Sequence, residues 1–131
     1  MSHDDVELVR GLYESFAQGK LWEAAPLIDQ NIVLRRFGGQ PGVWRGLDAF
    51  TAAIVDYIEA FDNLRIEGEE FVDLGGGRVS VYARHRGPGR DSGVPFDQEL
   101  GEVLTLRDGR IVQWLAYWNR AEALEAVGLR E

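Results

Sequence analysis

The chain has 131 residues, 45% hydrophobic and 27% charged, a size and mix that suit one domain with its own core and exclude a disordered polymer. No cysteine occurs and only two histidines, His3 and His85, which excludes disulfides, thiolate metal sites and histidine-rich metal centres, so no cofactor or metal is expected. A net charge of -8 repels phosphate, and no apolar run reaches the roughly 20 residues of a bilayer span, so neither nucleic acid nor a membrane is an expected partner.

In chain order, Asp4–Gln18 predicts a helix, with Val6, Val9, Leu12, Tyr13 and Phe16 on one stripe. Asp4 and Glu7 have the spacing of a capping box, and Gly19 suits the left-handed residue past the end. Leu21–Ile28 predicts a short second helical segment that Pro26 would kink. Asn31–Phe37 predicts a strand, residues 38–42 a glycine-rich loop, and Leu47–Phe61 a third helix with Phe50, Ile54, Tyr57, Ile58 and Phe61 buried.

From Leu64 the period becomes two. Strands are expected over Arg65–Leu74, Arg78–Arg86, Phe96–Arg107 and Arg110–Trp118, with turns at Gly75–Gly77 and at Asp108-Gly109, a strong hairpin signal. Residues 87–93 form a wide loop, and the Arg84, Arg86 and Arg90 patch reads as a solvated strand edge. Arg120–Val127 predicts a terminal helix stopped by Gly128. Helices followed by hairpin-linked strands indicate a single α+β domain over residues 1–131, a curved antiparallel sheet wrapped around three helices with a cavity at its open end. The acidic start, Met1 to Asp5, lacks the apolar core of a signal peptide, and a cytoplasmic location is expected.

Several stretches carry a resemblance that covers essentially the whole chain: Leu8–Phe16 followed by Gly19, Trp44-Arg45-Gly46, Ile58–Phe61, Leu104–Val112 and Arg120–Leu124. With these the chain resembles the SnoaL-like group of the nuclear-transport-factor-two-like superfamily. The resemblance implies a cone-shaped fold with a pocket. It leaves function open, because the superfamily includes ketosteroid isomerase, polyketide cyclases, a scytalone-type dehydratase, limonene-type epoxide hydrolases and non-enzymatic members.

Strand alternation nominates the pocket residues. His85 shares a face with Val79, Val81 and Ala83; Glu102 with Leu104 and Leu106; Trp114 and Trp118 with Val112 and Ala116; Arg35 with Val33 and Phe37. Tyr13 is expected at the pocket edge of the first helix, and Trp44 in the loop before the third. Glu102 and His85 are the candidate catalytic residues; Tyr13, Arg35, Trp44, Trp114 and Trp118 are the candidate ligand contacts. A carboxyl among apolar residues loses water, and its pKa rises toward the range useful for acid–base chemistry. The alternative for Glu102 is an ion pair with Arg35 or a bond to His85 that only satisfies a buried charge.

The resemblance also marks departures. It aligns Glu102 with the protonated oxyanion-hole aspartate of ketosteroid isomerase, and Arg35 with that enzyme's aspartate base; a guanidinium cannot abstract a proton. The acid that cyclases place on the last strand is missing between Arg110 and Asn119. Three functions therefore stand as expectations. The first is binding of a small hydrophobic or aromatic molecule. The second is a cofactor-free isomerase, cyclase or lyase using Glu102 and His85. The third is a homodimeric scaffold built on the outer sheet face, which would carry Val103, Thr105, Leu115 and Tyr117.

Overall fold

The structure, a computed structural model, describes residues 2–38 and 40–128. Helix α1 (Ser2–Ala17) leads into a 3-10 turn (Leu21–Leu27), strand β1 (Ile28–Arg36), strand β2 (Gly42–Arg45) and helix α2 (Leu47–Glu59). Four long strands follow, β3 (Arg65–Gly75), β4 (Arg78–Pro88), β5 (Pro95–Arg107) and β6 (Arg110–Tyr117), and helix α3 (Arg120–Ala126) ends the fold. The six strands make one sheet in the order β2-β1-β6-β5-β4-β3.

Helix α1 starts earlier than the capping-box spacing implied, so Asp4 and Glu7 lie inside it, where Glu7 pairs with Arg10. Its end follows expectation. Gly19 takes φ +74°, and the Lys20 and Gly19 amides return to the carbonyls of Ser15 and Phe16, the pattern of a left-handed helix stop. Asp108 and Gly109 both take positive φ, which gives the β5–β6 turn the twist that matches its strands.

Four features depart from the sequence expectation. The segment expected as loop contains β2, which pairs antiparallel with β1, so Trp44 sits in a strand opposite Leu34. Strand β1 pairs parallel with β6, making the sheet mixed; this long-range partnership leaves no local mark in the sequence. A register shift between Thr105 and Leu106 puts two residues between the buried Ile111 and Trp114, so Ile111 is buried in place of Val112 while Trp114 and Ala116 keep the inner face that alternation gives them. Arg84 and Arg86 are not on an edge: β4 lies between β3 and β5, and the two side chains pair with Glu67, Glu69, Asp97 and Glu99.

The core lies between α1, α2 and the concave face of the sheet. Val9, Leu12, Ile32, Leu34, Val79, Val81, Leu104 and Ile111 are fully buried there. Helix α3 packs against β5, and Asn119 caps it by accepting from the Glu122 amide at 2.9 Å. The close approach rests on Gly101, where an added Cβ would lie 2.6 Å from the Ala123 Cβ and 2.7 Å from the Asn119 carbonyl. Gly101→Ala should therefore cost about 1–3 kcal/mol, the range for overpacking a tight contact, read as a lower urea midpoint with an unchanged m-value.

Candidate functional site

A cavity of about 530 Å³ opens between α2 and the concave face of the sheet. Phe16, Ile54, Phe61, Ile66, Phe96 and Leu100 supply apolar wall. The chain after α2, whose Ala60 and Phe61 line the cavity, is held by hydrogen bonds: the Arg90 guanidinium donates to the Glu59 and Phe61 carbonyls, and the Asp62 amide to the Pro88 carbonyl. Phe61 packs on Phe96 with ring centroids 4.8 Å apart.

Glu102 lies at the buried end, 5% exposed. The Tyr13 hydroxyl donates to one carboxyl oxygen in a short bond, and the Trp114 indole N–H donates to the other at 2.9 Å. Burial raises the Glu102 pKa, while these two donors and the Arg36 charge pull it down without reversing the shift. Tyr13 is pushed well above its usual value by burial and by the neighbouring carboxyl. Trp114 is wedged among Tyr13, Phe16 and Phe50, so the indole is oriented by packing before it donates.

His85 lines the same cavity, 6% exposed. Its Nδ1 shares a 2.7 Å hydrogen bond with the Tyr57 hydroxyl, and its Nε2 has no partner among the described residues. Burial, with the Arg36 charge second, lowers its pKa to about 4, so the imidazole is neutral at pH 7. His85 and Glu102 are not hydrogen-bonded to each other. In the β4–β5 register His85 faces Gln98, four residues from Glu102, about 13 Å along the strand.

Of the nominated residues, His85, Glu102, Trp114 and Trp118 line the cavity. Trp118 stands at its rim, half-exposed and packed on Gly38. Tyr13 acts from behind, through Glu102. Trp44 does not line the cavity; its ring stacks on the Arg36 guanidinium at 4.9 Å. Arg35 is a correction: it is exposed, off the cavity, with its guanidinium over Phe37. Its neighbour Arg36 takes the inward place, because Ile32 and Leu34 set the buried parity of β1. Phe37, which suggested the other parity, lies outside and stacks on Tyr117 at 4.4 Å. The expected Glu102–Arg35 and Glu102–His85 pairs are replaced by Tyr13 and Trp114.

Sequence reasoning missed Arg36 and Tyr57 as site residues. Tyr57 was visible as part of the α2 buried stripe, but nothing local said that its hydroxyl would meet a histidine. Arg36 required the correct parity of β1.

A family model described as the SnoaL-like domain matches residues 9–114. An NTF2-like protein of unknown function from Burkholderia pseudomallei superposes with a TM-score of 0.75 at 20% identity, covering 95% of this chain and 97% of that one. Bal32a, from a soil-derived mobile gene cassette, gives 0.79 at 20% identity over 88% of each chain. TerC, co-crystallised with polyporic acid, gives 0.74 at 15% identity over 94% of this chain and 97% of its own. The curated proteins yielded no match.

The depressed His85 pKa carries a stability signature. Between about 4 and the ordinary 6.5, the unfolded chain binds a proton that the folded chain refuses. The contribution is complete above pH 6.5 and is lost as pH falls through that window, about 3 kcal/mol in all. Glu102 titrates with the opposite sign, since its raised pKa favours the fold when it is protonated. It cancels when wild type is compared with His85→Gln. Urea denaturation at pH 7.5 and pH 4 should show the variant gaining about 2–3 kcal/mol relative to wild type at the lower pH; parallel curves would show that His85 keeps an ordinary pKa.

Proposed function

The chain belongs to the SnoaL-like domain family, and we propose that it binds a flat, apolar small molecule in the cavity beneath its helices, with a polar atom of that molecule received by Glu102. The observation that carries this is a buried carboxyl at the end of an otherwise largely apolar cavity. Each oxygen already accepts one donor and retains a further lone pair. The volume lies within the range of small-molecule sites, and aromatic walls favour planar rings. The co-crystal of TerC with polyporic acid supports use of this fold for ligand binding.

A second reading, acid–base catalysis by Glu102, is favoured by one observation, the raised pKa of that carboxyl. A carboxyl of this kind can take a proton from carbon beside a carbonyl and return it elsewhere, which is the chemistry of a cofactor-free isomerase, cyclase or lyase. In this reading Tyr13 and Trp114 position the group. His85 does not serve as its direct relay, since no hydrogen bond joins the two.

A thermal-shift screen of planar hydrophobic carbonyl compounds tests both. Compounds that occupy the cavity should raise the wild-type midpoint by several degrees at saturating concentration. They should leave Ala116→Phe, whose ring fills the cavity beside Trp114, unmoved. Glu102→Gln should weaken the best compound by about 5- to 20-fold, the worth of one hydrogen bond to a charged or strongly polar partner. Equal shifts in wild type and Ala116→Phe would place binding elsewhere. Any turnover that survives Glu102→Gln would exclude catalysis by that carboxyl.

A further inference from the structure

The cavity has a second polar wall that the binding proposal does not use. Arg36 ends β1, lines the cavity and is half-buried. Its guanidinium is flanked by the Trp44 ring at 4.9 Å and the Tyr57 ring at 5.1 Å. It makes one long hydrogen bond, 3.4 Å to the Ala53 carbonyl, and no ion pair among the described residues. Among the described arginines, the other two that are not exposed, Arg84 and Arg120, pair with carboxylates. A guanidinium withdrawn from water gains most from a planar anion that takes two of its N–H groups.

His85 adds an independent sign on the same wall. Its Nε2 is buried without a partner while Nδ1 is held by Tyr57, and an orphaned polar atom in a cavity wall is paid for when a ligand satisfies it. When the Tyr57 hydroxyl donates to Nδ1, Nε2 carries the proton and becomes a donor to a ligand oxygen. Two carboxylates also line the cavity, and neither neutralises Arg36 directly. Asp56 is exposed at the rim, and Glu102 is engaged by Tyr13 and Trp114.

We infer that the cavity takes a planar carboxylate, an aromatic or conjugated acid, with its anionic group against Arg36, an oxygen offered to His85, and its rings between Phe16, Phe61 and Trp114. This inference rests on the binding proposal and names the ligand class.

The test uses paired probes, 2-naphthoate and its methyl ester, and likewise cinnamate and methyl cinnamate, titrated calorimetrically into the whole chain at pH 7.5. The free acids should bind about 10- to 100-fold more tightly than their esters, the worth of a charge-assisted hydrogen bond. Added salt should narrow that advantage only in part. Arg36→Met should abolish the difference between acid and ester, and Arg36→Lys should keep a fraction of it. If the methionine variant fails to fold, the acid-to-ester ratio on wild type still decides. Esters that bind as tightly as acids would overturn the carboxylate inference and leave the pocket standing. Failure of every acid and ester to bind would overturn both. Retention of the full acid advantage in Arg36→Met would remove Arg36 from the site.

Discussion

The arrangement of this molecule depends on satisfying one carboxyl in the interior. Glu102 is taken out of water on β5, and such a group is costly unless donors meet it. Tyr13 from α1 and Trp114 from β6 supply them, so one side chain ties a helix to two strands across the concave face. The same two donors explain why the carboxyl is tolerated where Leu104 and Leu106 would otherwise set the pattern. Burial still holds its pKa up. The group is therefore held in place by its donors while its proton affinity stays above the usual carboxylate range.

Packing around Trp114 and hydrogen bonds past the end of α2 hold two parts of the cavity wall in place. Trp114 is packed by Phe16, Phe50 and Tyr13 and cannot swing into the void. At the other end, Arg90 binds the carbonyls that close α2, which joins the helix to the turn between β4 and β5. The loop glycines are part of this economy of space. A side chain at Gly38 would collide with the Trp118 ring, its Cβ 2.8 Å from a ring carbon, so the rim indole owes its position to the bare backbone beneath it.

How much of this could be seen in the sequence follows from how clean the alternation is in each strand. In β4 the apolar residues alternate cleanly up to His85, and in β5 Leu100, Leu104 and Leu106 mark the inner face in steps of two on either side of Glu102, although Val103 is buried on the other face. Counting in twos assigns His85 and Glu102 to the inner face. In β1 three apolar residues, Ile32-Val33-Leu34, stand in a row and carry no parity, so Phe37 decided the assignment. Phe37 is an outer-face residue stacked on Tyr117, and the wrong arginine followed from it. In β6 the bulge beside Val112 puts Ile111 out of step with Trp114, a backbone event with no side-chain signature. Strand β2 was hidden by its length, four residues behind Pro41, and its pairing with β1 is what turns Trp44 toward Arg36.

The two polar clusters are separate in hydrogen bonding and coupled through charge. Tyr13, Glu102 and Trp114 form one; Trp44, Arg36, Tyr57 and His85 form the other. Arg36 acts on both, lowering the proton affinity of His85 and of Glu102. An anion seated on that guanidinium would offset its field, and both groups would then hold protons more tightly. A carboxylate ligand at one end would thereby raise the protonated fraction of the carboxyl at the other without any contact between them. Linkage makes the relation reciprocal, so a protonated Glu102 favours the anion in turn. The proton occupancy of Glu102, held mainly by burial and by Tyr13 and Trp114, would then shift further with occupancy of Arg36, and the arginine that alternation passed over adjusts the carboxyl that alternation identified.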